Sequence, residues 1–457
     1  MSFQESFAPY SELLKSLPGV DWSDIYFQRT TGKGIFYEDG KIEEVSSGSS
    51  GGCSASFQIG ARTALASVSG VEKGAARQAL SEVCRIASIT PPKSPALDFP
   101  FSRQSVDFPE DVQFLRDMDV MLRNECSLIR QVTLSWSAGV NEFGVVNPEA
   151  IRSGRFERNS FRVHVLVESG GRVESGSSSF SLTGTSDEFF KALNAEKVAR
   201  KALKYALTAL EAVACPTGPM PVLLSDSAGG TMIHEACGHG MEADLVFEEK
   251  SHFASKKGQM VAAECVSIVD DATLPWLNGS YEFDDEGTPA SRTVLIENGV
   301  LKNYLTDRRC SRLYNLPLTG NGRRMSFASS AMPRMSNTCV LCGNDDQDEM
   351  IQSIPRGLFV ERMGGGEVNA TTGEFVFEVS RGRLIEDGKI TRPVKGASLI
   401  GSGIKALMGI RAVGKRLRML PGMCEKRGQS VRVSDGQPSL LIDGLVVGGT
   451  VTEDENG

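Results

Sequence analysis

Three stretches of the chain place apolar residues at three- and four-residue spacing, the signature of amphipathic helices: residues 71–88, 110–132 and 186–214. In the longest, Val198, Ala202, Leu203, Ala206, Leu207 and Leu210 mark one face. That helix is expected to stop at Cys215-Pro-Thr-Gly-Pro-Met220, because two prolines and a glycine cannot continue it. The main domain boundary is placed there, between residues 215 and 220. Elsewhere a shorter pattern recurs. Phe36–Ile42, Leu295–Leu301 and Leu384–Ile390 each run from an apolar pair through an acidic residue to Asp-Gly or Asn-Gly and back to apolar residues. Those dipeptides accept the positive φ angles of a type I′ turn, so the pattern predicts β-hairpins. Leu441–Val447 is a fourth variant. The glycine-rich runs Ser47–Gly52 and Gly364–Gly366 read as loops, since neither has the strand, fingerprint and helix of a phosphate cradle.

The fold class that follows is α+β. Residues 1–215 form an N-terminal α/β domain with long helices. Residues 220–457 form a strand-rich C-terminal domain with one conspicuous helix, beginning near Gly229.

Composition narrows the partners. A net charge of -8 argues against nucleic acid, whose binding rests on clustered Lys and Arg. No window approaches the roughly 18 apolar residues of a membrane helix, so no membrane partner is expected. The first residues lack the basic and apolar regions of a signal peptide, and the ten cysteines are scattered. Together these features read as reduced thiols in a cytoplasmic protein. Cys339 and Cys342 form a lone CxxC, and no second pair supplies the other two ligands of a structural zinc.

The chemistry concentrates in Ile233-His-Glu-Ala-Cys-Gly-His239, in a chain with only four histidines. His234 and His239 are five residues apart, not the four of the familiar helical zinc motif. At about 100° per residue, partners four apart share a face, whereas partners five apart diverge by roughly 140°. A regular helix cannot chelate one ion with this pair. A one-residue π-bulge would realign them, and Gly238 and Gly240 make local distortion cheap. Zinc also needs a third protein ligand. The spacing leaves Glu242, Asp244, His252, Cys237, Cys265 and Cys424 open for that role. Glu235 suits a general base acting on zinc-activated water.

The stretch from Ile233 to Asp244 resembles the metal motif of the TldD/PmbA family of zinc metallopeptidases, also called modulators of DNA gyrase. Phe283–Ala290, Gly320–Arg324, Pro333–Thr338, Met363–Gly366, Pro393–Ala397 and Val447–Thr450 resemble further family segments. The match is dense in the C-terminal half and looser before it. The resemblance implies zinc on His234, His239 and Cys424, the last lying in Pro421-Gly-Met-Cys424, with Glu235 as base. Retention of all four residues implies the catalytic TldD branch. The resemblance further implies cleavage of extended, unfolded peptides by a homodimer or by a heterodimer with a metal-less PmbA/TldE-type paralogue. Such heterodimers mature peptide antibiotics and degrade labile antitoxins. A strand-rich second half fits peptide capture by strand addition. The acidic loop Glu282–Glu286 would orient a ligand, meet a peptide amine, or be a solvated turn; Arg323 and Arg324 would bind a substrate carboxylate or pair at the surface. The alternatives are a non-catalytic regulatory or peptide-binding subunit and a purely structural zinc site.

Overall fold

The computed structural model describes residues 2–101 and 112–449. In the N-terminal half, α1 (Phe3–Lys15) is followed by β1 (Trp22–Glu38), β2 (Lys41–Ile59), β3 (Arg62–Ser69) and α2 (Ala75–Ile86). Next come α3 (Gln113–Glu125), β4 (Ile129–Val146), β5 (Ile151–Ser169), β6 (Arg172–Thr183), α4 (Ser186–Ala192) and α5 (Ala195–Leu210). The six strands form one antiparallel sheet, ordered β3-β2-β1-β4-β5-β6. Its helical side carries two cores, one under α1 and α2 and one under α3, α4 and α5.

The mixed helix-and-strand architecture agrees with the sequence pattern, but the elements are cut differently. The expected helix over 186–214 is two helices, because Asn194 ends the first and its side chain accepts the Lys197 N–H to start the second. The expected helix over 110–132 ends at Glu125, and β4 begins four residues later with Ile129, Val132, Leu134 and Trp136. Its start at Glu110 lies outside the described residues. The first half is therefore as strand-rich as the second. Ser47–Gly52, expected as a loop, is the middle of β2, paired residue for residue with β1.

The C-terminal half contains β7 (Val222–Leu224), β8 (Ile268–Asp271), β9 (Arg292–Glu297), β10 (Val300–Leu301) and β11 (Asn337–Val340). It continues with β12 (Arg356–Val368), β13 (Glu374–Glu386), β14 (Lys389–Lys395), β15 (Ala397–Ser402) and β16 (Ile410–Val413). The last four are β17 (Arg418–Lys426), β18 (Gln429–Gln437), β19 (Leu440–Ile442) and β20 (Val446–Gly449). One sheet runs β10-β9-β8-β11-β18-β17. The other runs β16-β19-β7-β12-β13-β15-β20 and ends on Gly218–Pro219, with β14 also paired to β13. A single apolar core fills the space between them, from Leu224 and Leu399 on one side to Ile268 and Val433 on the other.

Three of the predicted hairpins form, with positive φ at Asp39-Gly40, Asn298-Gly299 and Asp387-Gly388. Leu441–Val447 is not a hairpin. β19 pairs with β7 and β16, whereas β20 pairs with β15 and Gly218–Pro219. All three β19 residues are buried, so that strand is central and cannot fold back on its successor. Gly364–Gly366, also expected as a loop, lies in β12 where the register with β13 shifts.

The two halves meet across the sheet face that carries no helix. Tyr26, Phe143 and Val145 pack there with Phe283. Arg324 reaches back to Asp24 at 3.4 Å with both side chains buried, and the Tyr26 hydroxyl donates to Asp285 at 3.1 Å. Removing one partner of a buried pair strands the other charge. Arg324→Met is expected to lower stability by about 3 kcal/mol, and the double variant with Asp24→Asn to recover part of that loss, read from denaturant midpoints.

Candidate metal centre

The segment that follows β7 changes helical pitch at the motif. One α-helical turn (Thr231–Ile233) opens into a wide π-turn over His234–Gly238, then tightens to a 3₁₀ turn over His239–Met241. The backbone N–H of His239 donates to the carbonyl of His234, five residues back. The extra residue is absorbed by the widened turn, and the imidazole centroids come within 5.0 Å at 89°. Gly238 has φ -54 and ψ -56, an ordinary helical conformation. Its lack of a side chain serves space instead, since a Cβ there would lie 1.9 Å from the Met335 sulfur. A Cβ on Gly240 would press on Phe253 in the same way, at 2.7 Å.

Among the described residues, His234, His239 and Cys424 form the one group of three side chains able to hold a metal ion, their donor atoms all within 4.8 Å of one another. The Cys424 sulfur is 3.3 Å from Nε2 of His239. The Pro421-Gly422 pair before Cys424 does not break the strand. Cys424 lies inside β17, whose antiparallel partner β18 follows directly after the turn at Arg427-Gly428. Alternation along β17 buries Cys424 and Lys426 and exposes Met423 and Glu425.

Each imidazole is oriented by a carboxylate on its far nitrogen. Nδ1 of His234 meets Asp435 at 2.6 Å, and Nδ1 of His239 meets Glu242 at 2.9 Å. An Nδ1–H donated to a carboxylate fixes the tautomer and turns Nε2 inward as a lone-pair donor. Glu242 is itself held by Lys426 at 2.9 Å, and Lys426 also reaches Asp244 at 2.7 Å and the Pro333 carbonyl at 3.1 Å. Burial alone would raise the Glu242 carboxyl, but Lys426 and His239 hold it down at about 2. Burial likewise opposes charge on the ligands, and their neighbours overrule it. Asp435 and Cys424 raise His234 well above its usual value, Glu242 and Cys424 push His239 up to about 9, and the two histidines bring the Cys424 thiol down to about 6. The three donors thus share their protons as an ion pair, and a cation bound by them would displace those protons. Two nitrogen donors and a thiolate, backed by two carboxylates, fit a divalent ion of borderline softness such as zinc. Glu235 has a side chain 32% exposed, with its carboxylate 4.0 Å from Nε2 of His239.

The other candidate ligands lie elsewhere or act indirectly. Glu242 and Asp244 belong to the supporting network, Cys237 is buried in the core, Cys265 is exposed, and His252 bonds the Ala370 carbonyl at 3.0 Å. The acidic loop is neither a ligand support nor a fully solvated turn. Asp284 is buried and accepts the backbone N–H groups of Glu286, Thr288 and Gly322, while buried Glu286 accepts that of Arg308. Arg323 and Arg324, expected at the surface or on a substrate, are both buried. Sequence reasoning missed Asp435, Lys426 and Arg334, whose Nη2 donates to the Cys424 carbonyl. Lys426 was accessible from strand alternation, being two residues after Cys424.

The helical segment and β18 meet through glycine. A Cβ on Gly230 would lie 2.5 Å from the Gly436 nitrogen and 2.6 Å from the Asp435 Cβ. Gly230→Ala is therefore expected to cost ~1–3 kcal/mol by overpacking against backbone, measured by chemical denaturation.

Comparison with known proteins agrees with this architecture. The family model "PmbA/TldA metallopeptidase C-terminal domain" matches residues 217–449, and "PmbA/TldA metallopeptidase domain 1" matches residues 23–87. A metalloprotease TldD homolog of Haemophilus influenzae is 36% identical over 450 residues, covering 94% of this chain and 93% of that protein. A zinc metalloprotease TldD homolog of Saccharolobus solfataricus is 33% identical over 235 residues, 51% of this chain and 52% of its own. The crystal structure of TldE from Thermococcus kodakarensis shares the fold, with a TM-score of 0.76 at 18% identity, covering 98% of this chain and 100% of that one. With one family model over residues 217–449, another over residues 23–87 and a relative aligned over nearly its full length, the chain belongs to the PmbA/TldD family of metallopeptidases.

Proposed function

We propose that the chain is a zinc-dependent peptidase acting on extended, unfolded peptides, with His234, His239 and Cys424 holding the ion and Glu235 as general base. The observation that carries this reading is the convergence of three donors, two from one helical turn and one from 185 residues later, beside a partly exposed glutamate. When bound there, zinc supplies a Lewis acid that acidifies water and polarises the scissile carbonyl. The protein's own part is positional. Asp435 and Glu242 hold the imidazoles, and the wide turn leaves Glu235 outside the donor set, with its carboxylate free to move a proton. Glu235 takes the proton of the attacking water and returns it to the departing amine.

Peptide capture has a structural basis in the same strand. β17 ends its sheet, so the outer edge of the strand bearing Cys424 is unpaired within that sheet. A substrate added there as a further strand would be read by its backbone, which tolerates varied side chains. Residues 220–457 would form the peptidase unit and residues 1–215 its companion domain. The likeness to TldE supports assembly as a homodimer or with a metal-less paralogue of that kind. Among the described residues no helix is long and apolar enough to cross a membrane, and all ten cysteines are free, in keeping with a cytoplasmic site of action.

The test is metal content together with cleavage of an unstructured peptide. Glu235→Ala should keep zinc and lose about 10²-fold or more in kcat. Cys424→Ala should lose both zinc and activity. Asp435→Asn should weaken zinc about 10- to 100-fold in a chelator competition, with activity restored at high zinc. Full activity in Glu235→Ala, or wild-type zinc affinity in Cys424→Ala, would overturn the assignment.

A further inference from the structure

A large cleft lies on the opposite side of the β17–β18 hairpin from the metal centre. It has a volume of about 1130 Å³ and is bounded by the bare face of the N-terminal sheet, the 272–285 loop and the hairpin. Register explains its floor. Gly139 pairs with Arg158, and Ser137 with Ser160, so small side chains leave the Arg158 guanidinium open above the sheet. From the hairpin, Met423 and its cross-strand partner Arg432 face the same space, as does Arg323.

These three arginines face one cleft together. Among the described residues, none of Arg158, Arg323 and Arg432 forms a salt bridge, whereas the neighbouring Arg155 and Arg324 pair with Glu157 and Asp24. Arg323 spends one Nη on two carbonyls, those of Met335 and Arg432. Arg432 stacks 3.3 Å above the Phe156 ring, and its buried Nη1 has no hydrogen-bond partner. Among the described residues, the Arg158 guanidinium has one hydrogen-bond contact, with the Met423 sulfur at 3.9 Å. Asp285, whose charge acts on Arg432, is already committed to the Tyr26 hydroxyl and the Arg324 backbone N–H. Glu282 and Asp284 also line the cleft, and Asp284 is taken up by three backbone N–H groups. Burial and the like charges of Arg323 and Arg158 pull Arg432 down to about 9, and burial also lowers Arg158. Crowded, desolvated guanidinium groups are costly unless an anion joins them, and their planar forks match a carboxylate.

We propose that Arg158, Arg323 and Arg432 form a carboxylate-binding subsite in this cleft, which selects peptides carrying acidic side chains or a free C-terminus. As a subsite for substrate, it rests on the peptidase reading above; as a binding site it does not. A peptide added along β17 would present alternate side chains to the two faces of the sheet. One set meets the metal side, where Cys424 and Lys426 point, and the other meets the arginine side, where Met423 and Arg432 point.

The experiment measures binding of a fluorescein-labelled, unstructured decapeptide to the full-length Glu235→Ala chain by anisotropy. One peptide carries glutamate at alternate positions, its counterpart carries glutamine, and each is made with a free and an amidated C-terminus. The glutamate peptide should bind about tenfold tighter than the glutamine peptide, the worth of one charge-assisted pair. A preference that follows the terminus instead, lost on amidation, identifies the C-terminal carboxylate as the group bound and equally supports the subsite. Arg432→Gln and Arg158→Gln should each erase most of the preference, and should weaken the amidated glutamine peptide far less than the glutamate peptide. Arg392→Gln removes a charge on a distant exposed strand and should change nothing. Equal affinity for all four peptides, equal weakening of all four by the arginine variants, or an effect of Arg392→Gln as large as that of Arg432→Gln would overturn the proposal. Should Arg432→Gln fail to fold, the more exposed Arg158→Gln carries the test. Carboxylate preference without cleavage by the wild-type chain would sink the peptidase reading and spare the subsite, whereas cleavage without preference would do the reverse.

Discussion

A regular α-helix turns by about 500° over five residues, which would aim His234 and His239 away from each other. The wide turn at His234–Gly238 removes that divergence, and the surrounding structure is arranged around it. Glycine at 238 and 240 lets Met335 and Phe253 press directly on the turn, and glycine at 230 lets β18 approach the start of the helical segment closely enough for Asp435 to reach His234. The bulge is not held by glycine's conformational freedom, since Gly238 is helical. It is held by packing from outside and by hydrogen bonds on both imidazoles.

The second support is electrostatic. A buried lysine between two buried carboxylates is expensive in isolation, yet Lys426 links strand β17 to Glu242 and Asp244 on the helical segment, in the same place where Cys424 and His239 meet. Both arms of the donor set are thereby tied by one charge network. Closure depends on chain segments far apart in sequence, so the centre exists only when the helical segment and the β17–β18 hairpin have docked. The same hairpin divides two environments, a carboxylate-backed donor set on one face and three arginines without a salt bridge among the described residues on the other.

How much of this was legible beforehand follows from the range of each interaction. His234, Glu235 and His239 stand out because local spacing conflicts with helical geometry, and that conflict itself points to a widened turn. The three Asp-Gly and Asn-Gly hairpins were legible for the same reason, a local need for positive φ. Cys424 could not be chosen from six candidates by spacing, and only the family resemblance singled it out. Asp435 and Arg334 carry no local mark at all, since their roles arise from strand pairing and from contacts across the core. The arginine pair at 323 and 324 looked like surface because charged residues are normally exposed, whereas inter-domain pairing and carbonyl contacts bury both. The long antiparallel strands of the first half were hidden by serine and glycine, which satisfy a ladder without advertising it.

The donor set can be read by X-ray absorption at the zinc edge on the zinc-loaded chain. One sulfur scatterer at about 2.3 Å, with multiple-scattering features of two imidazoles and the remaining shell of light atoms, is the predicted spectrum. A shell of nitrogen and oxygen only, or one with two or more sulfurs, would contradict a centre built from His234, His239 and Cys424.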